Sequence, residues 1–132
     1  MIVRGSLVRG IRGATVVSQD APDEILSATR ELLEAILQAN PTLRPSDLAS
    51  AWFTLTDDLC SVYPARAARE LGWVNVPLMC AQEIPVPGSL ARCIRVLLHW
   101  NTDLSQEEIH HVYLREAAGL RPEWGADHVG KK

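Results

Sequence analysis

Lysine is almost missing from this chain: eleven of its thirteen cationic residues are arginine, and the two lysines are Lys131 and Lys132. An anion bound inside the fold must therefore meet a guanidinium, a planar group with several fixed donors, and not an ammonium. Three cysteines, Cys60, Cys80 and Cys93, form an odd set without CxxC spacing. Neither a disulfide scaffold nor a zinc site is signalled, and reduced thiols are expected. His99, His110, His111 and His128 lack HExxH or facial-triad spacing, so no metal site is expected, and they are read as structural or surface residues. A Gly-rich phosphate loop and a GxSxG nucleophile elbow are also missing.

No apolar run approaches the roughly 18 residues of a membrane span, and the first residues do not form a long apolar segment with a cleavage site. A cytoplasmic protein without a membrane partner is expected. The net charge of -3 speaks against a nucleic-acid partner, which normally calls for a basic excess. With 132 residues, 47% of them hydrophobic, the chain has the material for one core. We expect a single domain over residues 1–132, with 1–6 as an N-terminal extension and 125–132 as a flexible tail.

Periodicity orders the elements. Leu7 to Val17 alternates loosely and is rich in β-branched residues, which predicts a strand. Ile25, Leu26, Thr29, Leu32, Leu33, Ile36 and Leu37 recur at helical spacing, with Asp20 as N-cap, Pro22 in the first turn and Asn40-Pro41 as the stop. "AWFTLT" (Ala51 to Thr56) reads as a short strand and "YPARAARELG" as a short helix ended by Gly72. "VNVPLMC" reads as a strand, "EIPVPGS" as a loop, and "CIRVLLHWN" as a strand buried on both faces. "SQEEIH" is a capped helical turn and "HVYL" a last strand. This order predicts an α+β fold, a mixed β-sheet with helices on one face. The bare apolar face gives the chain a reason to oligomerise.

Few residues in this pattern carry chemistry. Arg95 lies within "CIRVLLHW", where a guanidinium costs several kcal/mol unless paired. It either serves a ligand or pairs with an internal carboxylate such as Glu83. Glu83 follows a strand on a proline-held loop, suited to accept a hydrogen bond from a ligand hydroxyl, or is a solvated loop residue. Arg66 and Arg69 share a helix face, which is either solvated or part of a site. Tyr113 is a phenol donor or a core residue. Cys80 has no evident base partner and is read as a buried small residue.

The segments "VRGIRGAT", "YPARAARELGW", "VPLMCAQEIPVPGSL", "CIRVLLHWNT" and "HVYLREAAGLRP" together resemble the monofunctional chorismate mutases of the trimeric class, in order, from about Val8 to Trp124. The resemblance implies a homotrimer, a pseudo-α/β-barrel with active sites at subunit interfaces. It also implies a one-step pericyclic conversion of chorismate to prephenate, for aromatic amino-acid biosynthesis, with no cofactor and no metal. Arg95, Glu83 and Arg12 then match the catalytic residues: Arg95 donates to the ether oxygen, Glu83 accepts from the ring hydroxyl, and Arg12 holds a carboxylate. Tyr113 matches a carboxylate donor, and Cys80 lines the ring with its neighbours Met79, Ala81 and Gln82. Arg69 and Arg121 match arginines near the entrance that hold the dianion. Tyr63 and Arg66, at the lip where the family often has Phe and Lys, and Leu120 complete the binding set. A non-catalytic trimer that binds a carboxylate metabolite is the alternative.

The triplet Val/Ile-Arg-Gly occurs three times in "MIVRGSLVRGIRG". Strand alternation puts Arg12 and Gly10 on one face and Arg9 and Ile11 on the other, so only Arg12 is expected at the substrate. Arg4 is assigned to the extension.

Overall fold

The computed structural model describes residues 7–124; Arg4, His128 and the expected extension and tail lie outside them. The elements are β1 (Leu7–Val16), α1 (Pro22–Ala39), β2 (Leu48–Leu55), α2 (Ala65–Glu70), β3 (Leu78–Gln82), β4 (Cys93–Thr102) and β5 (Val112–Tyr113). Short 3₁₀ turns lie at Pro45–Asp47, Gln106–Glu108, Arg115–Gly119 and Pro122–Trp124.

One five-stranded sheet runs in the order β3-β2-β4-β1-β5. The inner pairs β1/β4 and β2/β4 are antiparallel, and the outer pairs β2/β3 and β1/β5 are parallel. The α+β class and the mixed sheet thus agree with the sequence pattern. Because side chains alternate, one face of the sheet turns to the helices, and the other is enclosed only around Ala14, Val16, Cys93 and Tyr113. Ile11 on β1, Phe53 on β2, and Val96 and Leu98 on β4 turn inward against Leu32, Leu33 and Ile36 of α1 and Ala65 and Ala68 of α2. Each large side chain fully buried there stabilises the fold by about 1.5–3 kcal/mol. No helix among the described residues is long and apolar enough to cross a membrane.

Four local expectations need correction. Asp20 does not cap α1; Ala21 holds that position without a side-chain bond. The Asp20 carboxylate instead accepts from the backbone amides of Cys60 at 3.2 Å and Ser61 at 3.1 Å, pinning the loop before α2. Glu24 turns back to Ser18, whose hydroxyl donates to it at 2.7 Å. The strand expected over "VNVPLMC" begins only at Leu78, because Trp73 to Val76 turn to bury Trp73 and Val76 in the core. β2 begins earlier than read, at Leu48, and absorbs a register shift between Leu48 and Ser50. Finally, β4 is fully buried on both faces only at its start, at Cys93 and Ile94; beyond it Val96, Leu98 and Trp100 are enclosed, whereas Arg95, Leu97 and His99 on the other face are half-buried.

The tightest approach in the sheet is at Gly13. A Cβ there would lie 2.9 Å from Ile36 Cδ1, 3.0 Å from Val96 Cγ1 and 3.2 Å from the Val112 carbonyl oxygen. One of these contacts is backbone, so the site cannot relax by rotamer change alone. Gly13→Ala is expected to destabilise the protein by about 1–3 kcal/mol, read as a lower denaturation midpoint. An unchanged midpoint would show that α1 can lift off β1 freely.

Candidate active site

The face of the sheet without helices carries the arginines. Cross-strand register aligns Trp52, Leu97 and Arg12 in one row, and Thr54, Arg95 and Ala14 in the next. Parallel pairing extends the first row to Met79, and the second to Ala81 on one side and Tyr113 on the other. Arg12 and Arg95 therefore share a face because each strand alternates and the ladder brings their rows side by side. With Glu83, Trp52, Thr54 and Leu97 they line a depression of about 410 Å³.

Glu83 reaches this depression because its backbone N–H donates to Leu55 O at 2.8 Å, which continues the β2/β3 ladder by one rung past β3. The Thr54 hydroxyl donates to Glu83 Oε2 at 2.5 Å and fixes the carboxylate. Arg95 Nε lies 3.7 Å from the same oxygen, near enough for an ion pair. Of the two alternatives read from the sequence, the pairing with Glu83 is thus present. Arg95 has a carboxylate partner, yet its buried Nε makes no hydrogen bond. The Arg12 guanidinium has no hydrogen bond or ion pair among the described residues, and its charge is felt by both Tyr113 and His111. Two cations with unused donors face one fixed carboxylate, an arrangement suited to a ligand with both anionic groups and a hydroxyl.

Tyr113 borders this region from a second apolar cluster with Ala14, Cys93 and Ala117, against which Leu120 and Trp124 pack. Burial pushes its phenol above the usual range, while Arg12, Arg95 and Arg121 pull the other way. It stays protonated and can donate. Arg121 stacks over Trp124, 3.7 Å from the ring centre, and pairs with Glu123 at 2.8 Å.

The remaining expected residues gather elsewhere. Tyr63, Arg66, Arg69, Cys80, Ala81 and Gln82 line a separate cavity of about 620 Å³ between α2, the loop before it and the edge strand β3. Arg66 is engaged by Glu70 at 3.1 Å, whereas Arg69 has no ion pair among the described residues. The Cys80 thiol is raised mainly by burial and stays neutral. Met79 lines neither cavity; it stands 56% exposed on the helix-free face, at the edge of the row that holds Trp52, Leu97 and Arg12. One chain thus holds the sequence-predicted site as two separate clusters.

Three contributors were not anticipated. Thr54 orients Glu83, and Trp52 and Leu97 form the walls. The parity of "AWFTLT" pairs Trp52 with Thr54 on one face, but the strand register that sets them beside Arg95 is not visible in a single segment. His111, read as a structural or surface residue, is structural and placed at the site: its Nδ1 accepts the Arg12 backbone N–H at 2.9 Å, and its ring lies 3.9 Å from that of Trp124.

Residues 8–124 match the family model of the type I chorismate mutases. The chain is 56% identical over 117 residues to the chorismate mutase AroH of Thermus thermophilus, covering 89% of this chain and 96% of that protein. Against the chorismate mutase AroH of Bacillus subtilis the identity is 48% over 118 residues, covering 89% and 92%. The structure of a chorismate mutase from Clostridium thermocellum superposes with a TM-score of 0.81 at 48% identity, covering 83% of this chain and 97% of that one.

Burial, with the Arg12, Arg121 and His110 charges, lowers the His111 pKa from 6.5 to about 4. The unfolded chain takes up this proton at a higher pH than the folded chain. The contribution of neutral His111 to stability is therefore complete above pH 6.5 and is lost as pH falls toward 4. Over that window the thermal midpoint should fall more steeply for the parent than for His111→Asn, which cannot titrate. Parallel curves would mean that the ring is not held neutral.

Proposed function

This chain belongs to the type I chorismate mutases, and from that premise we propose how its residues divide the conversion of chorismate to prephenate. The reaction is a concerted rearrangement: the ether C–O bond breaks as a C–C bond forms, and no proton or nucleophile is required. Catalysis then consists of holding the reactive conformer and stabilising the charge that moves within it. This accounts for a site built from arginines and one carboxylate.

In our assignment Arg95 is the principal catalytic group. Its guanidinium donates to the ether oxygen, where negative charge grows as the bond breaks, and reaches a carboxylate as well. The observation that carries this assignment is the buried Nε without a hydrogen-bond partner, set 3.7 Å from Glu83 on the helix-free face. Arg12 holds a substrate carboxylate with its unpaired guanidinium. Glu83, steadied by Thr54, accepts the ring hydroxyl, and Tyr113 donates to a carboxylate. Leu120 and Arg121 close the site from the C-terminal side.

We assign Tyr63, Arg66, Arg69, Cys80, Ala81 and Gln82 to a second half-site that meets the first across an interface between copies, in a homotrimer. Two features support this. The two clusters are distinct within one chain, and the helix-free face exposes apolar side chains, with Trp52 at 41% and Met79 at 56%. A sheet face of this kind is rarely left to water. Met79 lies in that contact, beside Leu97 and Trp52 in the sheet.

Purified protein should accelerate the loss of chorismate's diene absorbance, and a protein that bound chorismate without turnover would restore the non-catalytic reading. Arg95→Lys keeps the charge but loses the planar fork, and kcat is expected to fall about 10²–10³-fold with assembly size unchanged. Near-parental turnover would remove Arg95 from its role. The shared site has its own test. Arg95→Lys and Arg69→Ala subunits, each impaired alone, should recover activity when unfolded together and refolded as mixed oligomers. Mixtures no better than the separate variants would put both arginines in a site within one subunit.

A further inference from the structure

The outer edge of β1, turned away from β4, has only a short strand to pair with, since β5 meets Gly13 and Ala14 alone. Before that point its main chain is met by side chains. The Gln106 amide forms a complete rung: its Nε2 donates to Gly10 O at 2.7 Å, and Gly10 N donates to its Oε1 at 3.0 Å. Two residues on, Arg12 N donates to His111 Nδ1 at 2.9 Å. The segment that bears this ring is anchored in turn. Buried Asn40, at the end of α1, donates to His110 O at 2.9 Å and accepts from His110 N at 3.0 Å. A third bond from Asn40 to Ile36 O, at 2.9 Å, ties the anchor to the helix.

We propose that His111 is a positioning residue for catalysis: by accepting the Arg12 main-chain N–H at Nδ1, it sets where the Arg12 guanidinium stands in the substrate depression. Gln106 and Asn40 hold the two ends of this clamp. The proposal rests on Arg12 as a substrate ligand, as assigned above. A long arginine side chain is only as well placed as its Cα, and a misplacement of about 1 Å can cost about 100-fold in rate. An imidazole nitrogen can accept this bond only when unprotonated, with the proton on Nε2. The groups around it, the Arg12 and Arg121 guanidiniums and His110, all disfavour a second proton, as does burial.

The test uses the full chain and four variants: His111→Asn, His111→Leu, Arg12→Ala and the double variant Arg12→Ala/His111→Leu. Asparagine places a carbonyl oxygen near the position of Nδ1 and should keep kcat/KM within about threefold, whereas leucine should lose about 10- to 100-fold with assembly size unchanged. If His111 acts through Arg12, the double variant is no worse than Arg12→Ala alone. Additive losses, or His111→Asn as impaired as His111→Leu, would overturn the proposal. Arg12→Ala with parental activity would instead remove the ligand role on which it rests. Should His111→Leu fail to assemble, His111→Gln, whose amide lies at the Nε2 position, takes its place with the same expectation.

Discussion

The antiparallel ladder between β1 and β4 is the constraint on which the rest depends. Ten residues pair one for one, from Leu7 with Thr102 to Val16 with Cys93. Side chains alternate, so a slip of one residue in β1 would drive Arg12 into the apolar core and turn Ile11 out to solvent. Ile11, Val96 and Leu98, packed against α1, prevent that slip. The placement of both arginines is thus a consequence of core packing on the opposite face. Gly13 adds to this, because its missing side chain lets Ile36 approach the strand.

The ion pairs differ in how far they are shielded from water. Exposed pairs such as Arg66–Glu70 and Arg121–Glu123 contribute little, about 0–1 kcal/mol each. The Arg95–Glu83 pair is different, since both groups are largely shielded and stand at 3.7 Å without a hydrogen bond between them. Glu83 takes its hydrogen bond from Thr54 instead, which keeps the Arg95 donors available. A closer pair would serve the free protein better and the proposed substrate worse. Donors held in place before the reaction need not reorganise as charge develops, the condition under which they act most strongly.

Much of this was legible in the sequence where a single segment carried the signal. The spacing from Ile25 to Ile36 marked α1, Gly72 marked the end of α2 with φ of 95°, and the alternation of β1 separated Arg12 from Arg9. Arg9 indeed turns to Leu104 O at 2.7 Å. Failures arose where a distant segment competed. Asp20 has the right chemistry for an N-cap, but the loop at Cys60 and Ser61 offered it two amides. "VNVPLMC" has strand composition, but burial of Trp73 outweighed it. The contacts of Thr54 and His111 were not foreseen for the same reason: their partners lie 29 and 99 residues away. The family resemblance grouped the arginines as one set, and no single-chain pattern could say that they line two separate cavities.

That division has a physical logic. A rearrangement without nucleophile or proton transfer offers no covalent handle, so its acceleration must come from geometry and charge alone. Both demand rigid supports, and a strand bonded on both edges is more rigid than a loop. In our assignment both demands fall on Arg12 and Arg95, which sit within the sheet, and where the outer edge of β1 lacks a strand, the Gln106 amide and the His111 ring complete the bonding. A flat sheet face, however, cannot enclose a small dianion by itself. A second copy laid on the apolar side chains around Trp52 would supply the missing wall and exclude water, which strengthens every charge interaction inside. In this arrangement the contact that covers the bare face would be the same contact that completes the site, so that folding, assembly and catalysis all follow from the register of one strand.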